Sequence, residues 1–239
     1  MRPMDEREKR RAKRRRRAGK DYPSEDLGNG VEMATADAVL RAMGSLPSDL
    51  GWYELAASVI PVLPRRRPMP PMTDEPFRVT LPPGIPTGFG IDIGPAFLVV
   101  GEPLLRSWPI GPADLVARAL ENLRRRTRSV RARDVATLDI DGVPARVLQT
   151  GVGCASVLVL APDELQRILG EQPQCLLAPM RDVLVSLPPD VDRQFAARLN
   201  DELALMDPNG LALDAFVLDG GALRYERLPG AGARVVLAS

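Results

Sequence analysis

Histidine is absent from this chain of 239 residues. Its absence removes the commonest general base, the usual activator of a serine or cysteine nucleophile, and most zinc sites. Cysteine is nearly absent too. Cys154 and Cys175 belong to no CxxC pair and make no disulfide framework; they read as small buried hydrophobes in a reducing compartment. Aromatic residues supply only 4% of the chain, and no apolar run approaches the ~18 residues that span a membrane. No hydrophobic segment follows the basic N-terminus, so it is not expected to be a secretory signal, and the default location is the cytoplasm. Lysine is confined to Lys9, Lys13 and Lys20. Beyond them every basic residue is an arginine, a bias that fits GC-rich codon usage and lowers the weight of any single arginine.

What is present is an ordinary globular composition, 45% hydrophobic and 26% charged. The net charge of +1 hides a division. Residues 1–20 hold eleven of the 32 Lys+Arg and three of the 31 Asp+Glu, which makes this arm +8. The remainder, with 21 basic and 28 acidic residues, is −7. Ten positive charges between Arg7 and Lys20 repel one another and have almost nothing to bury, so the arm is expected to be disordered when free. Three readings of it stand side by side. Arg10, Arg11, Arg14, Arg15, Arg16 and Arg17 make an electrostatic contact with nucleic acid or an anionic surface; or the arm is a solvated tail; or translation begins at Met33 and the arm is upstream read-through. No aromatic residue interleaves the basic run, so it offers no stacking platform for single strands.

Residues 21–33 have linker composition, giving an arm and linker over 1–33 and one domain over 34–239. Within that domain, 34–95 is helical and proline-rich, and 96–239 carries the α/β core. Thr35 can cap a short helix ended by Gly44, and Ser48 precedes a helix with Trp52, Leu55, Ala56, Val59 and Ile60 on one face and Pro61 as its stop. The prolines of 61–95 suggest an extended surface connection with one candidate strand at 77–80. Gly90-Ile91-Asp92-Ile93-Gly94 matches neither phosphate-loop pattern and reads as a turn before a strand at 96–100. Gly111-Pro112-Ala113-Asp114 starts a helix with a stripe of Leu115, Val116, Ala119, Leu120 and Leu123. Arg124, Arg125 and Arg126 close it, either complementing the helix dipole or, with Arg128, Arg131 and Arg133, forming a second basic surface. Asn122 reads as a bond to neighbouring backbone.

Asp141-Gly142 predicts a hairpin between Val135–Ile140 and Val143–Leu148, and Asp219-Gly220-Gly221 predicts another. Between them, residues 155–160 read as a buried strand, Pro162-Asp163-Glu164 as a helix start, and 176–185 as a second strand interrupted by Arg181-Asp182. Pro188-Pro189-Asp190 predicts a last long helix with Val191, Phe195, Leu199, Leu203 and Met206 inward, and residues 234–237 are a candidate edge strand. The fold class is therefore α+β: a mixed, mainly antiparallel sheet with helices packed on it.

No cofactor motif is present. Asp139, Asp141, Asp163, Glu164, Asp214 and Asp219 are candidate carboxylates, but most sit where caps and turns need them. Asp182 differs because its neighbours are apolar. It either satisfies Arg181 or a loop amide, or it is a binding or catalytic carboxylate in a groove at the strand end, beside Arg181 and Ser156.

Val59-Ile60-Pro61-Val62-Leu63, Phe97-Leu98-Val99-Val100, Trp108 with its helix, Ala155-Ser156-Val157-Leu158, Pro179-Met180-Arg181-Asp182-Val183-Leu184 and Asp207-Pro208 fall in an order that resembles the bacterial DUF1444 (YtpQ-like) family, over roughly residues 36–227. The resemblance implies a fold and a bacterial cytoplasmic setting and supplies no established activity. A histidine associated with that family before Pro208 is Asp207 here, so any chemistry resting on it is lost from this chain. The favoured expectation is a non-catalytic binding or adaptor domain whose groove near Arg181 and Asp182 holds a peptide or protein partner. A nucleic-acid or anionic-surface binder acting through the arm is the alternative. Carboxylate chemistry with a metal is the third.

Overall fold

The computed structural model describes residues 41–46, 50–66, 76–93, 97–207 and 209–230. The basic arm and the candidate strand at 234–237 lie outside them. The fold is α+β, and every strand pairing among the described residues is antiparallel.

The first sheet is built on β3 (Ile85–Asp92), which the prolines and glycines around it had disguised as a surface connection. Ile85, Thr87, Phe89 and Ile91 alternate inward, so a period of two runs through the segment despite Pro86, Gly88 and Gly90. One edge of β3 takes β1 (Val59–Val62); the other takes β2 (Arg78–Leu81) and then β4 (Phe97–Val99). The helix expected across 52–60 is consequently short. α1 (Trp52–Leu55) passes through one 3-10 turn and gives way to β1, where Val59 and Ile60 are buried as strand residues. Pro61 is tolerated there because β1 has a single neighbour among the described strands and needs no outward N–H for it. Gly90 lets β1 and β4 close in: a Cβ on it would lie 3.0 Å from the Val62 side chain and 3.3 Å from that of Phe97, so both would have to give by a few tenths of an ångström.

α2 (Glu102–Ser107) leads to α3 (Pro112–Thr127). The Asp114 carboxylate accepts the Gly111 N–H at 3.0 Å, and the expected stripe faces inward, with Leu115, Ala119 and Leu123 fully buried. Leu115 and Ala119 pack with Trp52, Phe77, Phe89 and Trp108, and Leu123 belongs to the core shared with the second sheet.

That second sheet has six strands in the order β10-β9-β7-β8-β6-β5. The hairpin β5 (Val135–Ile140)/β6 (Val143–Leu148) forms as expected, with Asp141 and Gly142 at φ 52° and 81°, the left-handed pair that a tight hairpin turn demands. β9 (Ala215–Asp219)/β10 (Ala222–Glu226) forms likewise across Gly220-Gly221. Two expectations between them are corrected. Residues 156–160 make a fully buried 3-10 turn, not a strand; a short apolar run without periodicity serves either state. The expected strand at 176–185 is a hairpin, β7 (Gln174–Met180)/β8 (Val183–Leu187), folded back at Arg181-Asp182. Both strands are buried throughout and occupy the middle of the sheet.

One face of the sheet packs through Leu148, Leu176 and Phe216 against the 3-10 turn, α4 (Pro162–Leu169), Leu123, Ile60 and Ile85. The other packs through Ala145, Cys175, Leu177 and Val185 under α5 (Arg193–Met206). α5 starts three residues after Asp190, where Asp192 accepts the Gln194 N–H at 2.7 Å. Its buried residues are Ala196, Ala197, Leu199, Asn200 and Ala204, so Met206, expected inside, is instead exposed. Residues 64–66 run beside 210–212, with Arg66 N–H donating to Gly210 O at 2.7 Å and Leu211 N–H to Pro179 O at 2.8 Å, which joins the exit of β1 to the second sheet.

Asn122 is fully buried and donates from Nδ2 to Ala56 O and Val59 O, both at 2.7 Å, pinning α3 to the entry of β1. Asn122→Ala strands the buried Val59 carbonyl and the part-buried Ala56 carbonyl, so urea unfolding is expected to show a loss of about 1–3 kcal/mol; a loss under about 0.5 kcal/mol would remove this role.

Candidate functional site

Arg181, Asp182 and Ser156 do come together, at the turn between β7 and β8. Asp182 is fully buried, and its carboxylate accepts from five donors in residues 150–155. One oxygen takes the N–H groups of Thr150 (3.3 Å), Cys154 (2.9 Å) and Ala155 (3.0 Å) together with the Thr150 hydroxyl. The other takes the Gly151 N–H at 2.7 Å. Gly151 and Gly153 stand at φ 69° and 70°, a left-handed conformation that curls the loop so its amides converge. The chain thus builds an anion-binding nest and fills it with its own carboxylate.

The neighbours reinforce this closure. Ser156 donates from its hydroxyl to Arg181 O at 2.6 Å and from its amide to the same oxygen at 3.2 Å. Arg181 donates through Nε to Gly153 O at 3.2 Å, and its guanidinium lies 3.4 Å from the ring centroid of Phe97 in β4, a cation–π contact between the two sheets. Burial lowers the Arg181 pKa to about 10, which leaves it charged at neutral pH. Cys154 sits against the same cluster; burial pushes its thiol up to about 11, against the opposing pull of Arg126 and Arg181, so it is a neutral thiol donating to Val152 O at 3.4 Å. In this conformation Asp182 and Ser156 are spent on the protein's own backbone.

The second basic cluster does not form one surface. Consecutive helix residues are set about 100° apart, and Arg124, Arg125 and Arg126 diverge accordingly. Arg124 meets Asp163 at 3.1 Å, Arg125 donates to Ala57 O at 2.9 Å, and Arg126 pairs with Asp92. Arg10, Arg11, Arg14, Arg15, Arg16 and Arg17 lie outside the described residues. Asp139 accepts the Gly142 N–H at 2.8 Å inside its hairpin, and Asp214 accepts from the Tyr225 hydroxyl at 3.1 Å. Among the described residues no three acidic or thiol side chains converge as metal ligands, and no helix is long and apolar enough to cross a membrane.

The sequence reading missed an edge. β5 is the terminal strand of the six-stranded sheet, paired only with β6 among the described strands, and residues 136–139 are all exposed. Leu138 is 49% exposed. An open hollow lined by Ser129, Val130, Asp134, Gln149, Thr150 and Gly151 lies where β5 begins. Nothing local in the sequence marks a strand as terminal; that depends on the order of all six.

Removing the carboxylate leaves several buried N–H groups without an acceptor. Asp182→Ala is therefore expected to cost about 3–5 kcal/mol in urea unfolding, and Asp182→Asn to recover only part, because its amide turns hydrogens towards donors. Full stability in either variant would mean that the turn is held by something else.

No family model matches the chain, and no curated protein or solved structure matches it either.

Proposed function

We propose that this protein is a non-catalytic binding domain that takes an extended segment of a protein or peptide partner as an added strand along β5. The observation carrying the reading is an edge that no described residue covers. Terminal strands that stay alone are usually blunted by lysine, proline, a bulge or inward charge. Val135–Ile140 has no lysine, arginine or proline and pairs with β6 over its whole length without a shift in register. Its one charge, Asp139, is turned back to Gly142. The opposite edge differs, since β10 carries Arg224 and Glu226, the latter paired with Arg193 at 2.7 Å.

An added strand gains backbone hydrogen bonds along the edge and contacts for alternate side chains. On the face covered by α5, Ala136, Leu138 and Ile140 form the outermost apolar row, opposite Val147, Ala145 and Val143 of β6. The lack of histidine supports a role in binding over one in catalysis.

Panning random linear peptides against the full chain tests the reading. Enriched peptides are expected to bind with micromolar affinity and to lose at least about tenfold on Leu138→Lys or Ala136→Lys, which add edge charge at exposed positions. Peptides that bind these variants as well as the parent would overturn it.

A further inference from the structure

Resting on the reading of β5 as a docking edge, we infer that its partner is a second copy of this chain, paired antiparallel about a twofold axis so that two six-stranded sheets become one. The charge layout around β5 carries the inference. Arg131 and Arg133 precede the strand, with Asp134 between Arg133 and Val135 turned back to accept the Arg131 N–H at 2.7 Å; Asp139 and Asp141 end it. Antiparallel self-pairing sets the basic end of each copy against the acidic end of the other, twice. A parallel arrangement would oppose like charges.

Symmetry narrows the register. A twofold axis perpendicular to a sheet keeps every side chain on its own face, so facing positions must differ by an even number. Centred on Thr137, the pairing sets Thr137 against its own copy, Ala136 against Leu138 and Val135 against Asp139. It also brings Arg133, in the turn just before β5, towards Asp141 in the turn just after it. Their side chains are 86% and 76% exposed, and among the described residues they hold only long contacts, to Asp134 at 4.0 Å and to Arg198 at 3.6 Å. The half-exposed Leu138 of each copy gains the Ala136 of the other as a neighbour, and the Thr137 pair is a favourable cross-strand match. A register centred on Leu138 would instead set Arg133 against Val143 and leave the charges unmatched. One centred on Ala136 would set Arg133 against Asp139 and Arg131 against Asp141, although the Asp139 carboxylate is already held by the Gly142 N–H and the Arg131 guanidinium by Arg128 O and Val130 O. The contact is a single strand pair, smaller than a permanent dimer interface, so the dimer is weak and forms in the micromolar range.

Sedimentation equilibrium of the full chain, over about 1–500 µM, should show the mass rising from 26.0 kDa towards twice that value. Arg133→Asp alone and Asp141→Arg alone should each weaken dimerisation at least about tenfold, and combining them should restore it, because the swap recreates both pairs. Thr137→Cys provides a second test. The native thiols are buried, and cysteines facing each other across antiparallel strands sit within disulfide reach, so mild oxidation should cross-link the dimer. Asp139→Cys should not cross-link at a comparable rate. A monomer at every concentration overturns the second copy as partner, while peptide panning still decides separately whether β5 docks anything. Dimers indifferent to the charge reversals and to the position of the cysteine overturn the β5 pairing itself.

Discussion

A carboxylate carried into an apolar core must find donors there, and Asp182 finds all five within six consecutive residues. The turn between the two central strands, the loop at 150–155 and the 3-10 turn after it are thereby closed as one piece. Ser156 ties the same turn from the other side, through the carbonyl of Arg181. The middle of the larger sheet is thus set by polar geometry, and the hydrophobic packing on both faces follows from where that geometry places β7 and β8. Each lost donor would leave part of a buried charge uncompensated, which gives the cluster its stringency.

The remaining charges near the core act as ties between elements: Arg181 and Arg66 link the smaller sheet to the larger sheet and its helix, and Arg126 holds α3 to the smaller sheet. Arg181 reaches from the β7/β8 turn to the ring of Phe97, Arg126 reaches from α3 to Asp92 at the end of β3, and Arg66 reaches from beyond β1 to Asp201 of α5 at 2.7 Å. Apolar contact is general and tolerates small shifts. A guanidinium with one acceptor or one ring face beneath it does not, so these ties fix relative placement more than they add stability.

Much of the fold was legible wherever a feature is encoded locally. Asp141-Gly142 and Gly220-Gly221 announced their hairpins because left-handed turn residues are a local requirement. Gly111-Pro112-Ala113-Asp114 with its apolar stripe announced α3. The failures share one cause. Arg181-Asp182 is no recognised turn sequence and lies between apolar runs, so one hairpin looked like one strand. Ile85, Thr87, Phe89 and Ile91 alternate correctly, but the prolines and glycines between them hid the period. Asp182 was legible as an anomaly, and the possibility that loop amides meet it was visible, yet its partners lie 27 to 32 residues away and no sequence spacing points to them. The edge position of β5 was beyond reach because it is a property of the whole strand order.

That order bears on how the chain assembles. Three of the five pairings in the larger sheet are hairpins closed by two-residue turns, and the sheet is these three units laid side by side with the middle one in the centre. Short loops cost little entropy to close, so each unit can be sampled before long-range contacts exist. During synthesis β5 and β6 emerge before the surface they lean on, and β6 finds its permanent neighbour only once β8 has been made. The first hairpin therefore waits for the second, and the third completes a template already in place.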